Sequence, residues 1–282
     1  MADTKNTRIL RVHPAKGLVP LNMAELWEYR ELLLFLLWRD IKGRYKQTAF
    51  GPLWILGGPL INMVLLSLIF GKLAKLPSEG IPYPLFAYSA LLPFGLFSSS
   101  LTGTATSLLD NSGLISKVYF PRLITPLLPV LSAFVNFSAS FLILLGMVFA
   151  YGFMPGVEIL CLPLFLLLAA MTGLAVGLWW ASWIVHFRDL RDVLQYIVKA
   201  WMYASPVVYS SSIIVDRFGP EWMPLYRLNP IVTVVDGVRW CLLGVGQGPD
   251  SMLVFSYIVV FLLLLGGAFA FCRAERTIVD IA

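Results

Sequence analysis

The chain has 282 residues, of which 59% are hydrophobic and only 13% charged, with a formal net charge of +5. Soluble domains carry about 25% charged residues, so composition excludes a water-soluble enzyme or binding domain and points to a membrane protein. The cations gather at the ends of apolar runs instead of along one face, which excludes a nucleic-acid surface.

The N-terminus is polar and lacks the charged, apolar, small-residue order of a cleaved signal peptide, so insertion is expected to rely on the first membrane helix. Residues 22–48 combine Trp27, the run Leu32 to Trp38 and Tyr45 with alternating charges. The apolar run is too short to cross a bilayer, and an interfacial amphipathic helix is expected. Arg39, Lys42, Arg44 and Lys46 close this stretch, opposed only by Asp40, directly before a long apolar run. Such a cluster holds a segment end in the cytoplasm. It can also bind a diphosphate headgroup, because clustered cations attract phosphate and arginine forks onto its oxygens. Anchoring in anionic lipid explains the same residues.

A hydrocarbon core about 30 Å thick takes roughly 20 helical residues. Residues 49–71, 81–109, 123–157, 159–186 and 251–272 contain no Asp, Glu, Lys or Arg, and 193–215 is interrupted only by Lys199. Six transmembrane helices are expected, near 53–71, 85–107, 124–150, 159–184, 194–214 and 251–271. Of the Lys and Arg residues, 15 fall on the side of both termini and 5 on the other, so both termini are expected in the cytoplasm. Residues 216–250 form a long apolar external connection broken by Pro220, Pro224 and Pro230. Short re-entrant helices dipping partly into the outer leaflet before the last span account for both properties. The expected fold is therefore an all-α membrane protein, with an arm and interfacial helix over 1–48 and a six-helix domain over 49–282.

On the predicted fifth span Tyr196, Lys199, Tyr203, Pro206 and Ser210 share one helical face that continues to Asp192, the best candidate for a conduit wall. Lys199 lies about two turns from the cytoplasmic end and can instead snorkel to the headgroups. Trp54, Phe94 and Phe97 offer flat apolar faces suited to sliding contact with sugars, although core packing explains each of them, and Trp179 and Trp201, more simply. Ala169, Gly173, Gly177 and Ala181 recur every four residues on the fourth span, a face for close helix approach, and Ser132, Asn136 and Ser140 repeat that spacing on the third as interhelical hydrogen-bonding groups.

Catalytic chemistry is thinly represented. His13 and His186 are far apart in topology, no HExxH or GxSxG occurs, and Ser210 to Ser212 have no histidine partner. Cys161, Cys241 and Cys272 form no CxxC pair and read as free thiols, so neither a metal site nor a disulfide framework is expected. No GxxxxGK[ST] loop is present, so any nucleotide hydrolysis belongs to another polypeptide. Lys199 alone in a span also argues against a proton-coupled carrier, which needs an intramembrane carboxylate relay.

The stretch ELWEYRELLLFLLWRDIKGRYKQTAFGPLWILGGPL, from Glu25 to Leu60, resembles the start of ABC-2 type permeases that export polysaccharides, the O-antigen and teichoic-acid exporters. LNPIVTVVDGVRWCLLG, from Leu228 to Gly244, resembles the external half-helix region of the same family. The resemblance implies a bacterial inner-membrane homodimer working with two cytoplasmic ATPase subunits, which bind ATP and Mg while this chain holds no cofactor. It implies a glycan linked to polyprenyl diphosphate as cargo, O-antigen first and teichoic acid or capsule as alternatives. It also assigns ATPase contact to the short cytoplasmic loops, here Lys117, Arg122, Arg188, Asp189, Arg191 and Asp192, where solvated charge is the plainer reading. A membrane channel or scaffold without ATP coupling is the rival of a different class.

Overall fold

In the computed structural model, which describes residues 27–45, 53–111, 113, 121 and 123–281, every described element is helical. The first, α1 (Arg30–Tyr45), is 16 residues long, about 24 Å and short of a bilayer crossing. Leu36 is buried with Ile124 and Leu128 below a row of Tyr29, Leu32, Leu33 and Leu37, while Leu34, Phe35 and Trp38 on the other side are exposed. The helix is thus packed along one side, while its other side is apolar and exposed. One turn further along the same face, the Asp40 carboxylate accepts a hydrogen bond from Ser132 Oγ at 2.9 Å.

Five helices are long and apolar enough to cross a membrane. They are α2 (Leu53–Leu66, continued by a π-helical stretch over Ser67–Leu73), α3 (Tyr83–Asp110), α4 (Ile124–Ala150), α5 (Leu162–Ile184, entered through a 3-10 turn over Val157–Cys161) and the last helix, Ser251–Ile281. These match five of the six predicted spans closely. The share of each span buried inside the protein is 72% for α3 and 44% for α5, but only 6% for α2. Thus α3 and α5 form the centre, and α2 leaves its sides open to lipid or to another protein.

The predicted span over 194–214 is not one continuous helix in the structure. Helix α6 (Leu190–Tyr203) has 14 residues, about 21 Å, and then stops. Pro206 has no N–H to continue the ladder and disfavours a helical conformation at Ser205. The freed Tyr203 carbonyl is taken by Tyr209 Oη at 3.1 Å, so the end is capped by a side chain. Short helices follow, α7 (Ser212–Phe218), a 3-10 turn over Pro220–Trp222, and α8 (Met223–Tyr226), before α9 (Pro230–Leu243) and α10 (Ser251–Ile281). The connection over 216–250 is therefore helical in short pieces, with Pro220, Pro224 and Pro230 in their first turns.

Small residues set the central contacts. A Cβ on Gly173 would lie 2.7 Å from the Phe97 carbonyl oxygen, and one on Gly177 would lie 2.6 Å from Thr104 Cβ, so α5 meets the backbone of α3 directly. Gly103 likewise leaves room for Pro129 of α4, and Thr104 Oγ1 donates to the Pro126 carbonyl at 3.0 Å. Gly267 of α10 sits against the Ala175 carbonyl, while Trp179 Nε1 donates to the Leu263 carbonyl at 3.0 Å.

Helix α9 is buried along 13 of its residues, including Asp236 and Arg239 at 2% exposure each. Asn229 caps it by accepting from Ile231 N–H at 3.1 Å, and Gly237 admits the Phe165 ring of α5. The Arg239 guanidinium lies 3.5 Å from the centre of the Phe86 ring and donates to the carbonyls of Phe86 at 3.3 Å and Val207 at 3.4 Å. Burial pushes the Asp236 carboxyl up to about 6, against the pull of Arg239, a Ser211 hydrogen bond and Arg227. Burial lowers Arg239 to about 10, with Asp236 opposing the shift. Nearby, burial acts to raise Asp250, but the hydrogen bonds from Arg227, at 2.5 and 3.1 Å, its charge and the backbone N–H groups of Leu253 and Met252 together hold that carboxyl below its ordinary range.

Removing one member of the buried pair leaves the other charge uncompensated. Arg239→Met and Asp236→Leu should each cost about 3–5 kcal/mol alone, and the two together should cost less than the sum. Thermal unfolding of the four proteins in detergent measures this cycle. Because the folded carboxyl of Asp236 titrates above its unfolded value of 3.8, the folded state binds the extra proton between those pH values. Its contribution is present below pH 4 and is lost as pH rises through about 6. The melting temperature relative to that of Asp236→Asn should fall across that window and stay level above it.

Candidate functional site

Helix α6 runs beside α3 in the opposite direction, and contacts at three heights fix it there. At the C-terminal end of α3, Arg191 Nη1 lies 3.8 Å from Asp110 Oδ1, and Thr106 Oγ1 donates to Asp110 Oδ2 at 2.6 Å. Midway, the rings of Phe97 and Trp201 meet edge to face with centroids 5.0 Å apart. At the N-terminal end of α3, Tyr83 Oη donates to the Val208 carbonyl at 2.6 Å, and Ser210 Oγ donates to Glu79. Residues 191–210 therefore travel from one end of α3 to the other.

The two faces of α6 differ sharply. Leu194 and Val198 are buried, whereas Arg191, Asp192, Gln195, Tyr196, Lys199 and Tyr203 are exposed, Tyr196 at 72% and Tyr203 at 56%. Asp192, Tyr196, Lys199 and Tyr203 form one stripe at helical spacing. Lys199 Nζ stands 5.8 Å from the Tyr196 ring centre. The stripe offers two phenols, an ammonium and, from Gln195 beside it, an amide. Such groups hydrogen-bond to hydroxyls, and the rings provide flat apolar faces.

Ser210 does not extend this stripe, because the helix has already ended at Tyr203. It is 1% exposed and lies among Glu79 and Ser212 Oγ, the latter at 2.8 Å. Pro206 is buried in the turn after the helix. Phe94 and Phe97 are also interior, 6% and 0% exposed, with centroids 5.7 Å apart. They back α6 through Trp201 and do not reach its exposed face. Trp54 starts α2, and its side chain lies outside the described residues.

Of the cationic cluster, Arg39 and Lys42 are exposed on α1, with Lys42 Nζ 4.4 Å from the Trp38 ring centre. The Arg44 side chain and all of Lys46 lie outside the described residues, as do Lys117 and Arg122. Arg188, Asp189 and Asp192 are exposed at the corner between α5 and α6, and Arg191 reaches Asp110. The corner and the end of α3, separated by many residues in sequence, are thus one charged surface.

Residues not singled out from sequence hold this arrangement in place. Asn229 accepts from Trp201 Nε1 at 3.0 Å and donates to Ser205 Oγ at 3.0 Å, tying α6, its terminal turn and the start of α9. Glu79 adopts a left-handed backbone, φ 56°, before Gly80 at φ 78°, in the loop whose carboxylate meets Ser210. The only prior sign of the Arg239 cluster is the DGVR spacing, which places Asp236 and Arg239 on one helix face. Among the described residues no group of three His, Cys, Asp or Glu side chains is arranged to hold a metal.

The profile of the family described as ABC-2 type transporter matches residues 31–243. The chain is 30% identical over 253 residues to the O-antigen export system permease protein RfbA of Myxococcus xanthus, covering 89% of this chain and 95% of that protein. A protein of the same name from Klebsiella pneumoniae is 26% identical over 252 residues, with the same coverage. The polysialic acid transport protein KpsM of Escherichia coli is 23% identical over 229 residues, 79% of this chain and 87% of that protein. The helical architecture and the breadth of these matches agree, and the chain belongs to the ABC-2 type transporter membrane family, among the permeases of polysaccharide export.

Proposed function

We propose that the chain is the membrane subunit of an ATP-driven exporter that moves a lipid-linked polysaccharide, O-antigen first, across the bacterial inner membrane. The observation that carries the reading is the exposed polar stripe of α6 beside the apolar helix α3. A lysine at the centre of a lipid-facing helix costs about 2.5–3.5 kcal/mol on insertion scales, so the stripe needs water, cargo or protein against it. A second copy of the chain, placed against this face, would close a path around it. The relatives named for O-antigen export support the cargo, while the similarity to the polysialic acid transporter keeps a capsular glycan as the alternative, with teichoic acid beside it.

In this reading α6 and the turn after it are the sixth crossing, and α7 to α9 dip partly into the outer leaflet. Both termini are cytoplasmic. Arg39 and Lys42 on α1, followed in the sequence by Arg44 and Lys46, receive the diphosphate of the carrier lipid, and the helix holds them at headgroup depth. Two ATPase subunits bind ATP and Mg and push on the charged corner formed by Asp110, Arg188, Asp189, Arg191 and Asp192, and the family resemblance adds Lys117 and Arg122 to the coupling residues. Movement there reaches α6 directly, because Arg191 is in its first turn.

Lys199→Ala and Tyr196→Ala should leave the protein in the membrane and reduce export roughly tenfold, the effect of about 1.4 kcal/mol of lost hydrogen bonding in the path. Surface glycan quantified in a strain depending on each variant is the measurement, and unchanged glycan removes these residues from the path. Arg188→Glu combined with Arg191→Glu should preserve ATP hydrolysis by the co-purified ATPase yet abolish export. Full export by that double variant discards the corner as the coupling point, and failure to recover any nucleotide-binding subunit with the wild-type chain favours a channel or scaffold.

A further inference from the structure

At the end of the molecule that carries Arg188, a groove of about 610 Å³ opens between α5 and α10, on elements that the proposed path does not use. Its walls are apolar and its rim is not. Trp179 and Trp183 line one side, Gly266 and Phe269 the other, and His186 and Arg273 stand at the mouth. Gly266 is what makes the slot, since a Cβ there would lie 2.8 Å from the Trp179 ring. Indoles at this depth, with cations one to two turns beyond them, match the boundary between acyl chains and headgroups.

The two polar groups have unused capacity. The Arg273 guanidinium stacks on the Phe269 ring, 4.2 Å from its centre, and no carboxylate among the described residues forms an ion pair with it. His186 Nδ1 lies 2.9 Å from the Ser182 carbonyl oxygen. A carbonyl only accepts, so Nδ1 carries the hydrogen and Nε2 is left as an acceptor for a ligand hydroxyl. Basic pockets between membrane helices on the cytoplasmic side recruit anionic lipid headgroups.

We infer that this groove is a binding site for an anionic glycerophospholipid, whose phosphate lies against Arg273, whose headgroup hydroxyl donates to His186 Nε2 and whose acyl chain follows Trp179 and Ala270 along the slot. The charge at the mouth selects a net negative headgroup over a zwitterionic one, and the slot selects a lipid over a free phosphate ion. Lipid held there bridges α5 and α10 across the groove. The assignment to the cytoplasmic leaflet rests on the orientation proposed above, but the chemistry of the site does not.

The test uses the full chain purified in detergent, with dioleoyl phosphatidylglycerol, dioleoyl phosphatidylcholine and inorganic phosphate as separate probes, bound lipid being counted by native mass spectrometry. Phosphatidylglycerol should be retained over phosphatidylcholine. Arg273→Gln with His186→Ala should lower its occupancy about fivefold or more, the scale expected for one cation at a membrane surface. Ala270→Phe, which fills the slot and keeps both polar groups, should lower it as well. Equal retention of the two lipids, retention unchanged in both variants, or displacement of lipid by millimolar phosphate would each overturn the proposal. The assay reads neither glycan nor ATP, so its failure would leave the export reading standing.

Discussion

A backbone that stops being helical near a membrane must still place its carbonyls, and the fold turns on how this is done after Tyr203. Unsatisfied peptide groups in hydrocarbon cost several kcal/mol each, so irregular chain is tolerated only where protein supplies the partners. Three side chains do so here: Tyr209 for Tyr203, Arg239 for Val207 and Tyr83 for Val208. Arg239 is the most demanding of the three, because a fully buried guanidinium needs its own compensation. Asp236, one turn earlier on α9, supplies the opposite charge, and the Phe86 ring and carbonyl supply the remaining contacts. A charged helix buried beside the turn is therefore the condition for ending α6 where it ends.

That condition can be met only because the central helices are drawn close together. Lipid tails are as apolar as leucine, so no hydrophobic force pulls α3 onto α5, and contact comes from close packing. Gly173 and Gly177 allow the α5 backbone to rest on Phe97, Leu101 and Thr104. The same stretch of α3 then presents Phe97 to Trp201 on its other side. The α6 strip is thus positioned by the glycine contact beneath it, and Asn229 fastens Trp201 to the start of α9, whose side chains close the circuit.

Most of this frame is legible in the sequence. Charge-free runs gave the five long spans, the four-residue spacing of Ala169, Gly173, Gly177 and Ala181 gave the α5 contact face, and the Tyr196, Lys199, Tyr203 spacing gave the exposed strip. The break in α6 was not legible, and proline shows why. Pro59, Pro93 and Pro129 all lie inside continuous helices, whereas Pro206 follows the end of one. The residue type is the same in each case. What differs is the set of carbonyl acceptors' partners, and those come from Tyr83, Tyr209 and Arg239, two of them far away in sequence. For the same reason Ser210 looked like a member of the strip, although a chain that has turned points it at Glu79 instead. Asp236 and Arg239 were visible as a pair on one face, but their burial depends on Phe86 and Phe165, which no local pattern names.

Two ends of α6 are held by different kinds of contact, and the difference bears on how a motor outside the chain would act on it. The Arg191 to Asp110 pair is half exposed on both sides at 3.8 Å, a contact worth well under about 1 kcal/mol and easily exchanged for another partner. The far end is held by buried hydrogen bonds to Val207 and Val208 and by Ser210 on Glu79, none of which opens without leaving a polar group unpaired. A push at the charged corner therefore meets little resistance there and is borne by a rigid helix whose other end resists displacement. Helix α6, fixed from Trp201 onward by Phe97 and Asn229, is thereby free to tilt only in its first turns, carrying Tyr196 through a larger arc than Tyr203. The asymmetry needs no chemistry within the strip, only one end that yields and one that does not.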